Sequence, residues 1–377
     1  MGLEIQERIP LWLDCDPGHD DAFAILLAAH HPHLNLLGIT TVHGNSSQAN
    51  TTINAGSILE SIGRPDIPVY PGSEKPFCRR AVHAPDIHGC SGIDGTDLLP
   101  IPSIPAVRDI NPILAMRNAL LAQPKDTAWV VATGTLTNVA LLFAAFPEVA
   151  EHVRGVSIMG GAIGGGFSSV PISKKPGDAD RIGNITPYAE FNIYADPEAA
   201  RSVLTSPIVA PKTTLVTLDL THQVLATQKI QSLILATESG DGSEPSVLRR
   251  MLHALLLFFA NTYQTVFGLD TGPPLHDPVA VAVLLSNLNS SQMGDKQDIL
   301  WFNDDNGKRF AIDVVTDGVH GNDIQLTGQV GRTVATKAEC TDGVTIPTAM
   351  DVDKFWDVIL CCLERAEKCN SARFLAN

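Results

Sequence analysis

Along the first 160 residues, continuous apolar runs alternate with longer stretches whose apolar positions recur every three to four residues. The runs at 9–14 (IPLWLD), 34–41, 67–70, 128–132 and 156–159 read as buried strands, and the stretches at 20–31, 47–62, 111–122 and 136–146 as helices. This alternation predicts an α/β fold, a mostly parallel, doubly wound, Rossmann-like sheet with helices on both faces. Ligands of such sheets sit beyond the carboxyl ends of the strands. Three polar clusters fall there: DCDPGHDD at 14–21, HGN at 43–45 and TGTLTN at 133–138. One crevice lined by all three is expected.

The second half is less regular. Residues 160–183 form a polar, glycine-rich stretch. Helices are expected at 196–204, 227–237, 245–267, 277–285 and 350–367, and strands at 213–218, 310–315 and 325–335. No repeat, low-complexity tract or linker divides the chain, so one domain over 1–377 is expected. Flexible loops are placed near 72–108 and 162–183, and a surface excursion near 288–309.

The composition narrows the partners. Hydrophobic residues make up 44 % and charged residues 18 %, which suits a large buried core. With 26 Lys plus Arg against 41 Asp plus Glu, the net charge is −15, and basic residues cluster only as pairs such as Arg79-Arg80. Nucleic acid and anionic membranes are therefore excluded as partners. Seven cysteines without CxxC spacing point to reduced thiols. The first ten residues lack the apolar core of a signal peptide, and the longest apolar runs are too short to span a bilayer. Two of the four N-x-S/T sequons, at Asn45 and Asn184, fall in segments expected to form the site. The expected location is the cytoplasm, with nuclear entry left open.

Asp14, Asp16, Asp20 and Asp21 place four carboxylates in eight residues. Asp14 and Asp16 leave one face of a strand, and Asp20 and Asp21 open the next helix. A helix dipole accounts for one or two such acids; four that converge must share protons or a cation, and an all-oxygen set suits Ca²⁺ or Mg²⁺. The rival reading is helix capping by the Asp20-Asp21 pair, with Asp14 in a structural role. Farther along, GNITPYAEFN offers Asn184, Glu190, Phe191 and Asn192; from an extended segment, side chains 190 and 192 project together, as sugar hydroxyls require. His88 lies in a glycine-rich loop, and His276 precedes Asp277, a candidate N-cap.

In order along the chain, DxDPGxDD (14–21), HGN (43–45), HGxxGxDG (88–95), TGxLTN (133–138), MGG (159–161), GNxTPxAEFN (183–192) and HDP (276–278) resemble the motifs of the inosine–uridine nucleoside hydrolase family. The match spans roughly 9–367 and looks most similar to the fungal uridine nucleosidases. The resemblance implies the nucleoside hydrolase fold and a Ca²⁺ held by Asp16, Asp21, the Thr133 carbonyl and Asp277. It further implies Asp16 as general base toward the attacking water and His276 as proton donor to the leaving base, with His88 beside the base. Asp20, Asn45 and Asn192 would grip the ribose 2′- and 3′-hydroxyls, and Asn184 and Glu190 the 5′-hydroxyl. Tyr263, Gln264 and Phe267 are the candidates to touch the base.

The implied activity is Ca²⁺-dependent hydrolysis of ribonucleosides in salvage, uridine preferred, by a homo-oligomer (dimer or tetramer). Inosine, cytidine and nicotinamide riboside are further candidate substrates. The alternatives are a non-catalytic nucleoside-binding protein, against which no motif is missing, and a Mg²⁺ phosphatase of the haloacid dehalogenase type, against which Gly18 follows the DxD-Pro and no later lysine motif is found.

Overall fold

The computed structural model describes residues 8–168, 170–236, 244–287, 299–320, 328–339 and 342–376. The strands are β1 (Ile9–Cys15), β2 (Leu34–Thr41), β3 (Val69–Pro71), β4 (Trp129–Ala132), β5 (Gly155–Met159), β6 (Thr213–Val216), β7 (Phe302–Asn303), β8 (Arg309–Val314), β9 (Thr333–Lys337), β10 (Val344–Thr345) and β11 (Ala349–Met350). Nine of them form one sheet in the order β3-β2-β1-β4-β5-β6-β10-β8-β9, while β7 and β11 pair separately. From β3 through β10 the neighbours are parallel; β8 and β9 close the far edge antiparallel. The chain runs outward from β1 to β3 and returns to β4 on the other side of β1. Strand order therefore reverses between β1 and β4, which opens a crevice at their carboxyl ends.

Helices α1 (Asp21–His30), α2 (Gln48–Ser61), α3 (Pro85–His88), α4 (Pro112–Leu121), α5 (Thr137–Ala145), α6 (Pro147–His152), α7 (Phe191–Ala195), α8 (Pro197–Leu204), α9 (Leu218–Thr221), α10 (Gln228–Leu235), α11 (Val247–Phe267), α12 (Asp277–Ala282) and α13 (Val352–Ala376) cover the sheet. Successive side chains of β1 feed two cores. Leu11 and Leu13 pack with Phe23, Ile58, Leu255, Val279 and Phe355 on one face, and Trp12 packs with Met116, Val139 and Val203 on the other. Helix α1 is apolar on nearly every side because it lies between the sheet, α12 and α13, and its residues 21–28 are all buried. That pins the residues just before it, 14–20, to the switch point.

Several elements depart from expectation. The 71–108 stretch contains α3, and its Pro102 packs on α2 at Gly56. The helix expected over 277–285 ends at Ala282 and tightens into a 3₁₀ turn, Val283–Asn287. The last helix reaches Ala376, beyond 367. The strand expected at 325–335 is β9, and residues 325–327 lie outside the described residues, as do 288–298 of the surface excursion. The end of that excursion is partly core: Leu300 is fully buried. Among the described residues no helix is long and apolar enough to cross a membrane, and no two cysteines are bonded.

Candidate active site

The DCDPGHDD segment turns at Pro17-Gly18 between β1 and α1. Asp20 is the N-cap residue of α1 but makes no capping bond; its Oδ2 instead accepts from the main-chain N–H of His276, 3.1 Å away at the start of α12. The capping reading is thereby set aside for Asp20. Asp21 accepts from Gly18 N–H at 2.9 Å and from the Thr133 hydroxyl at 2.9 Å. Asp16 accepts from Asn45 N–H at 2.7 Å through Oδ2, while its buried Oδ1 has no partner among the described residues. Asn45 Nδ2 donates to the Asp16 carbonyl at 3.1 Å. The HGN turn packs so closely that a Cβ on Gly44 would overlap the Asp16 carboxylate, so only glycine fits there.

Carboxylate oxygens of Asp20, Asp21 and Asp277 lie within 4.8 Å of one another. Burial, reinforced by the neighbouring acids, pushes Asp20 up to about 7 and lifts Asp16 and Asp277 well above the usual carboxylate range; burial raises Asp21 too. Three buried carboxylates at this range, with Asp16 feeling the charge of Asp21 and Asp20, ionise together only when a cation shares them. Their oxygen-only chemistry and the orphaned Asp16 Oδ1 fit a hard divalent ion.

Asp14, expected in the same cluster, faces elsewhere. Thr40 and Asn138 donate to its Oδ1, Asn138 at 2.8 Å, which gives the TGTLTN asparagine its task. Burial raises Asp14 to about 7 as well.

Above the carboxylates opens a crevice. Asp20, Asn45, Thr133, Asn184, Glu190, Phe191, Asn192, His276 and Asp277 line it together with His88; Asp16 and Asp21 are fully buried and bonded to the lining residues Asn45 and Thr133. The GNITPYAEFN segment is not extended as expected. Glu190 is the N-cap of the short helix α7, and its carboxylate accepts from the N–H groups of Asn192, Ile193 and Gly161 at 2.8–3.0 Å. Asn192 Nδ2 donates to the Thr133 carbonyl at 2.7 Å, and Asn184 Oδ1 accepts from Phe191 N–H at 2.8 Å.

The other end of the crevice is aromatic. Phe259, Tyr263 and Phe267, four apart on α11, share one face, and Ile87 and His88 stand opposite. Gln264 points to solvent instead. Asp277 is the first residue of α12 rather than its N-cap; that position belongs to His276, because Asp277 is drawn into the carboxylate cluster. His276 is bonded through Nδ1 to Thr221 Oγ1 and through Nε2 to the Tyr263 hydroxyl, both at 2.7 Å, and burial holds its imidazole well below its ordinary pKa. His222 packs 5.5 Å from it.

Sequence reasoning passed over Phe259, Thr221, His222 and His19. The i, i+4 spacing of Phe259 with Tyr263 was the available signal for the first; nothing local marks the others. The 162–183 segment is anchored, with Ser173 and Lys174 donating to the Phe267 carbonyl at the end of α11 and Asp219 accepting from Ile163 and Gly164.

An acidic, oxygen-lined pocket at a switch point, walled on one side by aromatic rings, suits cleavage of a bond between a sugar and a planar base; the class is that of the N-glycosyl hydrolases acting on ribonucleosides. The chain belongs to the inosine-uridine preferring nucleoside hydrolase family, whose model matches residues 11–357. It is 38 % identical over 370 residues to a uridine nucleosidase of Saccharomyces cerevisiae, covering 96 % of this chain and 97 % of that one. It is also 38 % identical to a pyrimidine-specific ribonucleoside hydrolase of Shewanella, over 74 % of this chain and 78 % of the other. A purine-preferring ribonucleoside hydrolase from Gardnerella vaginalis superposes with a TM-score of 0.71 at 25 % identity, covering 95 % of this chain and 99 % of that one.

Proposed function

We propose that the protein is a Ca²⁺-dependent ribonucleoside hydrolase that prefers uridine and releases ribose and free base in pyrimidine salvage. The observation that carries this reading is the unpartnered, fully buried Oδ1 of Asp16 beside three converging carboxylates. Asp16, Asp21, Asp277 and the second lone pair of the Thr133 carbonyl would hold the ion. When bound, Ca²⁺ supplies charge that orients the ribose diol and makes a water easier to deprotonate. Asp16 takes the proton of the water that attacks C1′. Asp20, Asn45 and Asn192 hold the 2′- and 3′-hydroxyls, and Asn184 and Glu190 face the 5′-hydroxyl.

As the glycosidic bond breaks, C1′ gains positive charge, which the carboxylates and amide oxygens stabilise. His276 serves the leaving base through the Tyr263 hydroxyl, since both its ring nitrogens are already engaged. The acids that favour this charge repel a 5′-phosphate, so nucleosides rather than nucleotides are the substrates. The uridine preference is supported by the names of the yeast and Shewanella relatives. The salvage role and a homo-oligomeric state rest on the family resemblance alone, and a cytoplasmic location on the thiols, sequons and N-terminal residues of the sequence.

The test incubates purified protein with uridine, cytidine, inosine and nicotinamide riboside and reads free base by chromatography, before and after chelation. Release of uracil above all, abolished by chelation and restored by Ca²⁺, is expected. No base release from any nucleoside would sink the proposal, and release indifferent to chelation would sink its metal.

A further inference from the structure

The histidine inside the DCDPGHDD motif has no role in the reaction so far described, yet it is buried and fully bonded. His19 stacks parallel to Phe258 and Phe259, with ring centroids 5.0 and 5.4 Å away. Its Nε2 lies 2.8 Å from the main-chain carbonyl of Asp94, and its Nδ1 lies 3.1 Å from Nδ1 of His88. A carbonyl only accepts, so His19 carries a proton on Nε2. Stacked on two phenyl rings, with its two nitrogens facing a carbonyl and a second imidazole rather than a carboxylate, the ring is neutral. Its Nδ1 is then a lone pair, and the facing Nδ1 of His88 must be the donor.

His88 is itself neutral, buried and held well below its ordinary pKa. Its Nε2 therefore carries a lone pair. That atom finds no hydrogen-bond partner among the described residues, and the ring lines the crevice beside Phe259 and Tyr263. The circuit is closed and stiff, because Asp94 N–H donates to the His88 carbonyl at 3.1 Å. It also needs Gly18, where a Cβ would stand 2.6 Å from His88 Nδ1. One chain of donors and acceptors thus runs from a main-chain carbonyl to the base end of the pocket and fixes the polarity of its last atom.

We propose that His19 is a positioning residue for substrate choice: it holds His88 as the Nδ1-protonated tautomer, so Nε2 meets the base purely as a hydrogen-bond acceptor and the site favours bases carrying a ring N–H on that edge, uracil over cytosine. The N3 of uracil bears a proton and that of cytosine a lone pair, so cytosine would set two lone pairs against each other. The inference rests on the nucleoside hydrolase reading and adds to it the atom that discriminates and the residue that sets its polarity.

The experiment measures kcat/KM for uridine and cytidine with the full-length chain and with His19→Phe and His19→Gln. The unaltered protein is expected to favour uridine by about 10- to 100-fold, the cost of one mismatched buried pair. His19→Phe keeps the stacking but frees the His88 tautomer, so the ratio falls by at least about fivefold, chiefly because cytidine gains relative to uridine. His19→Gln can donate to Asp94 and accept from His88, and it retains the preference. Ring ¹⁵N spectra of His88 report the tautomer directly: an unprotonated Nε2 in the unaltered protein, and mixed protonation in His19→Phe. An unaltered protein that cleaves both nucleosides equally, a His88 protonated on Nε2, or a His19→Phe variant with an unchanged ratio would overturn the inference while leaving the hydrolase reading intact. Failure to cleave any nucleoside would overturn both.

Discussion

At the carboxylate end of the crevice each acid is held by a main-chain donor, Asn45 N–H on Asp16, Gly18 N–H on Asp21 and His276 N–H on Asp20, with the Thr133 hydroxyl as a side-chain addition on Asp21. At the base end the polar atoms are held by other side chains: His88 by His19, and His276 by Tyr263 and Thr221. The first arrangement follows from backbone positions at the switch point and resists change without altering the fold. The second can be rebuilt by substitution alone.

The hardest blow falls at the carboxylate end. Asp16→Asn keeps an oxygen for Asn45 N–H but replaces the proposed general base with an amide. We expect kcat/KM for uridine to fall by about 10³-fold or more. The chelated variant should melt no lower than the unaltered protein, since one of four mutually repelling buried acids is gone. Steady-state hydrolysis and thermal melting check both halves; activity within tenfold of the unaltered protein would remove Asp16 from the mechanism.

A smaller loss is expected at the base end. Tyr263→Phe deletes the hydroxyl bonded to His276 Nε2 while keeping the ring against Phe259 and Phe267. We expect kcat to drop by about 10- to 100-fold with KM little changed, the mark of a group that acts on the leaving base. Gln264→Ala, one residue along but on the solvent face of α11, should leave both within about twofold. Equal losses in the two variants would mean that the face of α11, not the hydroxyl, is at work.

The two ends also differ in how far the sequence discloses them. The acidic motif is contiguous, so its charge density is visible in eight letters, and its strand–turn–helix setting follows from periodicity. The partners that give the base end its polarity are far apart in the chain: Thr221 and His276 by 55 residues, His19 and His88 by 69. No local pattern joins them; only the closing of the sheet does. The same holds for Glu190, whose capping role depends on a five-residue helix too short to show a period, and for β10, two residues paired between β6 and β8. Asp14 misled for the opposite reason. Its spacing from Asp16 was correct, but Thr40 and Asn138 claim it.

The mildest expected effect separates the cluster from this outlying acid. Asp14 and Asp20 are both raised to about 7, chiefly by burial, from an unfolded value near ~3.9. Between these values the folded chain keeps protons that the unfolded chain has released, so these two acids contribute stability that is fully present at low pH and is lost as pH rises toward 7. Chelated protein should therefore melt a few degrees lower at about pH 8 than at about pH 6.5, the opposite contribution of the buried neutral histidines falling mostly below that range. Saturating Ca²⁺ should recover most of that loss at the higher pH, by binding the folded state and relieving the repulsion around Asp20. It should not relieve Asp14, which hydrogen-bonds Thr40 and Asn138 rather than the cluster, so a residual slope should persist with Ca²⁺ and vanish in Asp14→Asn. Scanning calorimetry across pH, with and without the ion, reads all three. A chelated melting temperature that is flat with pH, or one that Ca²⁺ leaves unmoved, would mean that the buried acids are not held at the expense of the fold.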